Sequence, residues 1–202
     1  MNNKCKYGIL FCSIGLILLI LNVVFNAPLK MDSAFYEFIS VFLINDFMTG
    51  VMKAVTWFGS AGCLIILSIG FVLILKRKKV SIAIIGNLIF VALFNYILKI
   101  IFKRPRPIEH RLISESGYSF PSGHSMASMA FYGFLIYLIY KYVENKYLKI
   151  GFICLLSCLI VLIGVSRIYL GVHYLSDVLS GFLISLIVLL IYINILQKYA
   201  NI

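Results

Sequence analysis

The sequence predicts an all-α, polytopic membrane protein: one bundle of six transmembrane helices plus an amphipathic helix at the membrane interface. The first observation behind this prediction is composition, because 62% of the 202 residues are hydrophobic and only 12% are charged. Soluble domains are rarely so apolar. The second is that six runs contain no Asp, Glu, Lys or Arg, and each approaches the roughly 20 residues that a spanning helix needs.

Short connections join the six runs and leave no room for a separate soluble domain, so we expect residues 1–202 to form a single membrane-embedded domain. The first run is too long for the core of a signal peptide and has no small-residue cleavage site after it, which predicts an uncleaved anchor. The predicted spans are residues 7–25, 54–75, 80–98, 125–140, 150–166 and 178–197.

An amphipathic pattern lies between the first two spans, in residues 31–48. Phe35, Phe38, Ile39 and Phe42 recur there at helical spacing, with acidic residues between them. This pattern predicts a helix lying at the outer membrane interface. A strip packed against the bundle explains the same pattern equally well.

The net charge of +11 is best explained by membrane topology, since Lys and Arg concentrate in cytoplasmic loops. With six spans and both termini in the cytoplasm, the inner face carries more basic residues than the outer face. The margin is small because residues 99–122, an outer connection, carry five basic residues. This segment therefore needs a functional explanation, and no nucleic-acid partner is expected.

A histidine and a carboxylate near the last span are the first candidates for chemistry. Asp177 follows His173 by four residues, the spacing of two side chains on one helix face. The carboxylate could accept the imidazole N–H, fix the tautomer and make the other ring nitrogen more basic. An isolated interfacial histidine is the alternative, but Asp177 would then enter a span as an unpaired charge.

A second histidine, His124, follows Pro121, Ser122 and Gly123 at the start of the fourth run. Such a start presents free amide N–H groups and the positive end of a helix dipole, which together attract anions. An ordinary helix cap is the alternative explanation of these residues.

Three cations are expected at the same outer membrane edge: Lys99, Arg106 and Arg167. Arg binds oxyanions through paired hydrogen bonds, and Lys acts as a point charge. Together with two histidines they indicate phosphoryl transfer, with one histidine attacking phosphorus and the other protonating the leaving oxygen. The sequence has no clustered carboxylates to bind a metal, so neither a metal nor another cofactor is expected.

Three motifs carry a family resemblance: Lys, six residues, Arg-Pro in 99–107; PSGH in 121–124; and Ser-Arg, five residues, His, three residues, Asp in 166–177. With these motifs the chain resembles the type 2 phosphatidic acid phosphatases, membrane relatives of the vanadium haloperoxidases. The resemblance implies that His173 is the nucleophile forming a phosphohistidine, that Asp177 orients it, and that His124 is the general acid. The phosphate ligands it implies are Lys99, Arg106, Ser122, Gly123 and Arg167.

The resemblance also implies an integral membrane phosphatase whose substrate is a lipid phosphate or diphosphate and whose site faces outward. The chain is most similar to small bacterial members acting on phosphatidylglycerophosphate or undecaprenyl diphosphate, and phosphatidate is a further candidate. A phosphotransferase passing the phosphoryl group to another lipid or sugar is the alternative, and a non-catalytic transporter or scaffold for anionic lipid is the rival from another class. Residues outside the motifs are hypothesised to contact a second phosphate or a headgroup: Lys103, Arg104, His110 and Arg111.

Overall fold

The computed structural model describes residues 3–24, 30–74, 77–108 and 111–200. Over these ranges the chain folds into eight α-helices and forms no β-strand, as the predicted fold class requires. The helices are α1 (Asn3–Val24), α2 (Lys30–Phe42), α3 (Asp46–Trp57), α4 (Ala61–Ile74), α5 (Lys78–Phe102), α6 (Gly123–Tyr142), α7 (Lys146–Tyr169) and α8 (Leu175–Tyr199).

Helix α6 lies at the centre of the bundle and packs against α5, α7 and α8. Its Phe131 and Phe134 are fully buried in the main core, together with Leu64 from α4 and Ile163 from α7. Neighbouring helices shield α6, so it can carry buried serines that a lipid-facing helix could ill accommodate.

Within the described residues, four helices are long and apolar enough to cross a membrane: α1, α5, α7 and α8. The pair α3 and α4 would supply a fifth span. Helix α6 covers the predicted fourth run and has 20 residues, but its serines, glycines and tyrosines make it less apolar. The membrane bundle is therefore present, and the count of six spans stays a prediction.

The predicted second span, residues 54–75, is wrong as a single helix. Helix α3 ends at Trp57, α4 begins at Ala61, and the two helices are bent by 48° at the break. Hydrophobicity alone does not predict the break, because it reports lipid solubility and says little about local backbone direction; Gly59, Ser60 and Gly62 mark the position in the sequence.

The break brings the backbone close to the neighbouring helices. A Cβ atom on Gly59 would lie only 2.6 Å from Cγ2 of Ile163 and 3.2 Å from Cδ2 of His124, so only glycine fits there without a shift. The carbonyl of Phe58 also accepts a 2.8 Å hydrogen bond from the Tyr132 hydroxyl. These contacts seat the turn beside the start of α6.

Helix α2 matches the predicted amphipathic segment but is shorter, because it ends at Phe42. It packs on α7 and α8, burying Asp32 and Ile39 while Phe38 and Phe42 stay exposed. One face is therefore packed on the bundle, as the alternative explanation held. Its placement at the membrane interface stays a prediction.

Candidate active site

One end of the bundle gathers the predicted site residues, because α5 and α7 end there and α6 and α8 begin there. The connection from α5 to α6 folds over this end. The N–H of Ser119 donates to the carbonyl of Arg104 at 2.8 Å, and the N–H of Leu112 donates to the carbonyl of Leu170 at 3.1 Å. The long connection is thus fixed to the α7–α8 turn.

His173 and Asp177 form a buried pair, with 3.5 Å between Nδ1 and Oδ2. The expectation that both lie on one helix face is wrong, because His173 lies in the turn before α8 begins at Leu175. The N–H of Tyr174 donates to Oδ2 of Asp177 at 3.0 Å, so the carboxylate caps its own helix while facing the histidine. The turn nevertheless brings the His173 and Asp177 side chains together, as their four-residue spacing predicts.

The two ring nitrogens of His173 have different surroundings. Nδ1 faces Asp177 and lies 3.3 Å from the Ser119 hydroxyl, whereas Nε2 lies 3.1 Å from Nη1 of Arg106. Burial lowers the pKa of His173 to about 4, although the hydrogen bond and charge of Asp177 raise it. The imidazole is therefore neutral at pH 7, and a proton held on Nδ1 by Asp177 leaves the lone pair on Nε2.

Arg106 is held rigidly beside that lone pair. Its guanidinium donates to the carbonyls of Ser116, Gly117 and Val172 at 2.9 to 3.0 Å, and the side chain is almost fully buried. A fixed guanidinium next to Nε2 can bind an oxyanion presented to this nitrogen.

Arg167 is 1% exposed and is clamped on two sides. Nη1 donates to the Thr56 hydroxyl at 2.8 Å, and Nη2 donates to the Glu115 carboxylate. Its Nε has no hydrogen-bond partner in the part of the chain that the structure describes. A buried donor without an acceptor is costly, so this group is suited to receive a ligand oxygen.

Glu115 is a neighbour of the site that sequence reasoning missed. Burial raises its pKa, but the charge of Arg167 and the hydrogen bond to it lower the pKa more, and the net result lies below the ordinary value. The ionised Glu115 carboxylate is thus bound to Arg167, the same arginine that is predicted to bind phosphate. An acid within the basic 99–122 segment was the signal that could have revealed it.

Lys99, in the last turn of α5, points its ammonium group to the same end. Nζ donates to the carbonyl of Tyr118 at 2.5 Å, and the charge interacts with those of Arg106 and Arg167. The three predicted cations thus converge, and their mutual repulsion favours binding of an anion among them.

The PSGH residues build the start of α6. The hydroxyl of Ser122 caps the helix by accepting from the Ser125 N–H at 3.4 Å and pairs with the Ser125 hydroxyl at 2.9 Å. The Ser122 N–H donates to the Asp177 carbonyl at 3.1 Å, which ties the two helix starts together. The amides of Gly123 and His124 belong to the first turn, where an α-helix offers no internal acceptor.

His124 lies at this helix start beside the α3–α4 break. Its ring is close to Gly59. Burial and the charges of Arg167 and His173 lower the pKa of His124 to about 3, although the charge of Glu115 raises it. The two motif histidines therefore lie within electrostatic reach of each other across the group of cations.

Of the cations outside the motifs, Arg104 does not fit the hypothesis of a headgroup contact. Its guanidinium does not face outward to a substrate, because Nη1 lies 2.6 Å from Oδ1 of Asp177 and Nη2 lies 3.1 Å from Oδ2 of Asp32. Lys103 and Arg111 are exposed, and His110 lies outside the described residues.

An open cavity of about 600 Å³ lies at this end of the bundle. It is lined by residues 111–116, which include Glu115.

The chain is similar in sequence and in fold to several known proteins. The PAP2 superfamily profile matches residues 80–200. Phosphatidylglycerophosphatase B of Bacillus subtilis is 34% identical over 80% of this chain and 81% of its own. The crystal structure of a transmembrane PAP2-type phosphatidylglycerolphosphate phosphatase from Bacillus subtilis superposes with a TM-score of 0.84, at 27% identity over 96% of this chain and 98% of that one. The Aquifex aeolicus LpxE structure, at 24% identity over 83% of this chain and 97% of its own, shares the fold with a TM-score of 0.68.

Proposed function

The chain belongs to the PAP2 superfamily, the type 2 phosphatidic acid phosphatases, and from this membership we propose how its site works. It is a membrane-bound lipid phosphatase. The observation that carries the proposed mechanism is the orientation of His173, whose Nδ1 faces Asp177 while Nε2 faces the guanidinium of Arg106.

In the first step, Nε2 of His173 attacks the terminal phosphorus of the lipid. The bond from phosphorus to the lipid oxygen breaks, and His124 gives a proton to that oxygen. Burial and the neighbouring cations lower the pKa of His124 to about 3, so the ring takes up this proton only when the negative charge of the bound phosphate lies beside it. His173 becomes a phosphohistidine whose Nδ1–H stays on Asp177. Negative charge on the phosphoryl oxygens is stabilised by Lys99, Arg106 and Arg167.

In the second step, neutral His124 takes a proton from a water molecule, which attacks the phosphohistidine. The phosphorus–nitrogen bond breaks, inorganic phosphate leaves, and His173 is neutral again. The start of α6 contributes the amides of Gly123 and His124 to the phosphate, with Ser122 holding the helix start in place. No step requires a metal or another cofactor.

The proposed substrate is phosphatidylglycerophosphate, with undecaprenyl diphosphate and phosphatidate as alternatives. The similarity to phosphatidylglycerophosphatase B over most of both chains supports this order. The cavity lined by residues 111–116 offers space for a headgroup beside the phosphate. The lipid tail would stay in the bilayer while a single domain, residues 1–202, performs the reaction.

Purified protein in detergent with EDTA is expected to release inorganic phosphate from phosphatidylglycerophosphate faster than from undecaprenyl diphosphate or phosphatidate. Phosphate is measured colorimetrically, with a soluble phosphate ester in parallel. A different order of rates would reassign the substrate, and activity that EDTA removes would contradict the metal-free mechanism. Product formed only when an acceptor lipid or sugar is added would favour the phosphotransferase.

We propose further that the site faces the outside of the cell membrane and that both termini are cytoplasmic. Two observations support this orientation. Basic residues at the start of α5 (Arg77 and Lys78) and on either side of the α6–α7 connection (Lys141 and Lys146) lie at the end of the bundle opposite the site, in agreement with the positive-inside rule. Helix α1 begins beside the end of α8, where Nδ2 of Asn194 lies 3.1 Å from Sγ of Cys5. The start of α1 and the end of α8 thus lie together at that opposite end.

A cysteine at exposed position 114 is expected to react with an impermeant thiol reagent in intact cells. The variant Ser114→Cys is made after replacing the five native cysteines. The matched control is Tyr147→Cys, which lies at the opposite end and is 86% exposed, and it should react only after lysis. Reversed labelling of the two positions would overturn the orientation.

A further inference from the structure

A cluster of three buried or largely buried charged side chains lies behind the His173–Asp177 pair, on the side away from Nε2. It consists of Asp32, Arg104 and Asp177, drawn from three separate parts of the chain. We propose that Asp32 and Arg104 are positioning residues that orient Asp177 toward His173, which makes α2 a functional part of the active site. The inference rests on the proposed role of His173 as nucleophile.

Asp32 caps the start of α8 from another helix. Its Oδ1 accepts the backbone N–H of Ser176 at 2.8 Å, and its Oδ2 accepts the Ser176 hydroxyl at 2.7 Å. The Asp32 side chain is 6% exposed although it lies on a helix with an exposed apolar face. A buried carboxylate is retained only when it is well paired, and here it fixes the turn that carries both His173 and Asp177.

Arg104 bridges the two carboxylates. Nη1 donates to Oδ1 of Asp177 at 2.6 Å and to the Ser176 hydroxyl at 2.8 Å, while Nη2 donates to Oδ2 of Asp32 at 3.1 Å. The Tyr174 ring covers the guanidinium, with its centroid 4.2 Å from Cζ. The planar fork is therefore fixed along its edges and on one face, which a lysine could not reproduce.

The two oxygens of Asp177 are divided between these tasks. Oδ1 is taken by Arg104, which leaves Oδ2 to face His173 together with the hydroxyl of Ser119 and the N–H of Tyr174. Rotation of the carboxylate would break the contact with Arg104. The arginine thus selects the carboxylate orientation in which an oxygen is presented to Nδ1.

The charge of the cluster suits the reaction. Arg104 paired with Asp177 alone would neutralise that carboxylate and weaken its support of the imidazole. Asp32 shares the guanidinium, so the three groups carry one net negative charge. This charge favours the positive imidazole ring that forms when His173 is phosphorylated.

The test compares Asp32→Asn, Asp32→Glu, Arg104→Gln and Arg104→Lys with two matched controls. Glu37→Gln removes an exposed carboxylate from the same helix, and Lys146→Gln removes an exposed cation from the opposite end of the bundle. Steady-state kinetics on a lipid phosphate give kcat and KM separately. Size-exclusion chromatography and a melting curve report the folded fraction of each variant.

We expect Asp32→Asn and Arg104→Gln to lower kcat about 10- to 100-fold, as loss of residues that orient catalytic groups commonly does, with KM changed less than about twofold. Asp32→Glu should recover part of kcat because it restores the charge, and Arg104→Lys should recover little. The controls should match the unmodified protein.

Three results would overturn the inference: kcat of Asp32→Asn equal to that of Glu37→Gln, a loss confined to KM, or a loss of activity that follows the loss of folded protein. His173→Ala is measured alongside. If His173→Ala retains activity, the proposed function fails; if it is inactive while Asp32→Asn is fully active, only the positioning role fails.

Discussion

Replacement of His173 by alanine is expected to lower phosphate release from a lipid phosphate by about 10³-fold or more, since loss of a nucleophile removes the covalent route altogether. Its neighbours suit it to the proposed role of nucleophile: Asp177 faces Nδ1, Arg106 lies 3.1 Å from Nε2, and burial keeps the ring neutral. The measurement is initial rate against enzyme concentration, in detergent with EDTA. His173 is buried against Asp177 and Arg106, so size-exclusion chromatography is used to show that the alanine variant is folded before its rate is compared.

His110→Ala is the matched control, because it changes the one histidine outside the three motifs. It should keep most of its activity on a soluble phosphate ester. Substantial phosphatase activity in His173→Ala would remove the phosphohistidine mechanism. Lipid binding that persists in a protein without any phosphatase activity, mutated or not, would favour the transporter or scaffold.

Replacement of His124 by asparagine is expected to slow hydrolysis of a lipid phosphate about 10²- to 10⁴-fold, the usual contribution of a general acid. The loss should depend on the leaving group. An aryl phosphate, whose phenolate leaves without a proton, should still phosphorylate His173 rapidly. Hydrolysis of the phosphohistidine should then be slow, because no base activates water.

Stopped-flow measurement of phenolate from the aryl phosphate tests this directly. We expect a burst close to one equivalent of enzyme in His124→Asn, followed by a slow steady state. Equal losses on the lipid and aryl substrates with no burst would show that His124 acts by binding the phosphate and not by transferring protons.

The sequence predicted which residues lie together in the site better than it predicted the hydrogen bonds and ion pairs between them. Lys99, His124 and His173 could be assigned because short motifs place them at helix ends, and helix ends at one face of a bundle must meet. The pairing of Arg104 with Asp32 could not be predicted, since the two residues are 72 positions apart and no periodicity links them. Such contacts depend on how α2 packs against α8.

The same limit explains the misassigned second span. An apolar run predicts residence in the membrane, and residues 54–75 meet that criterion. The bend lies where Gly59 packs closely against Ile163 and His124, and such tertiary contacts cannot be read from hydrophobicity. Glu115 was overlooked for a related reason, because its significance depends on Arg167 lying beside it in the fold.

The most direct test of the mechanism is to locate the covalent phosphate. His124→Asn is mixed with the aryl phosphate in EDTA, quenched in alkali to preserve phosphohistidine, digested and analysed by mass spectrometry. We predict one phosphoryl group, on His173, that is absent when His173 is also replaced. A phosphoryl group on another residue, or rapid turnover with none detectable on His173, would contradict the account.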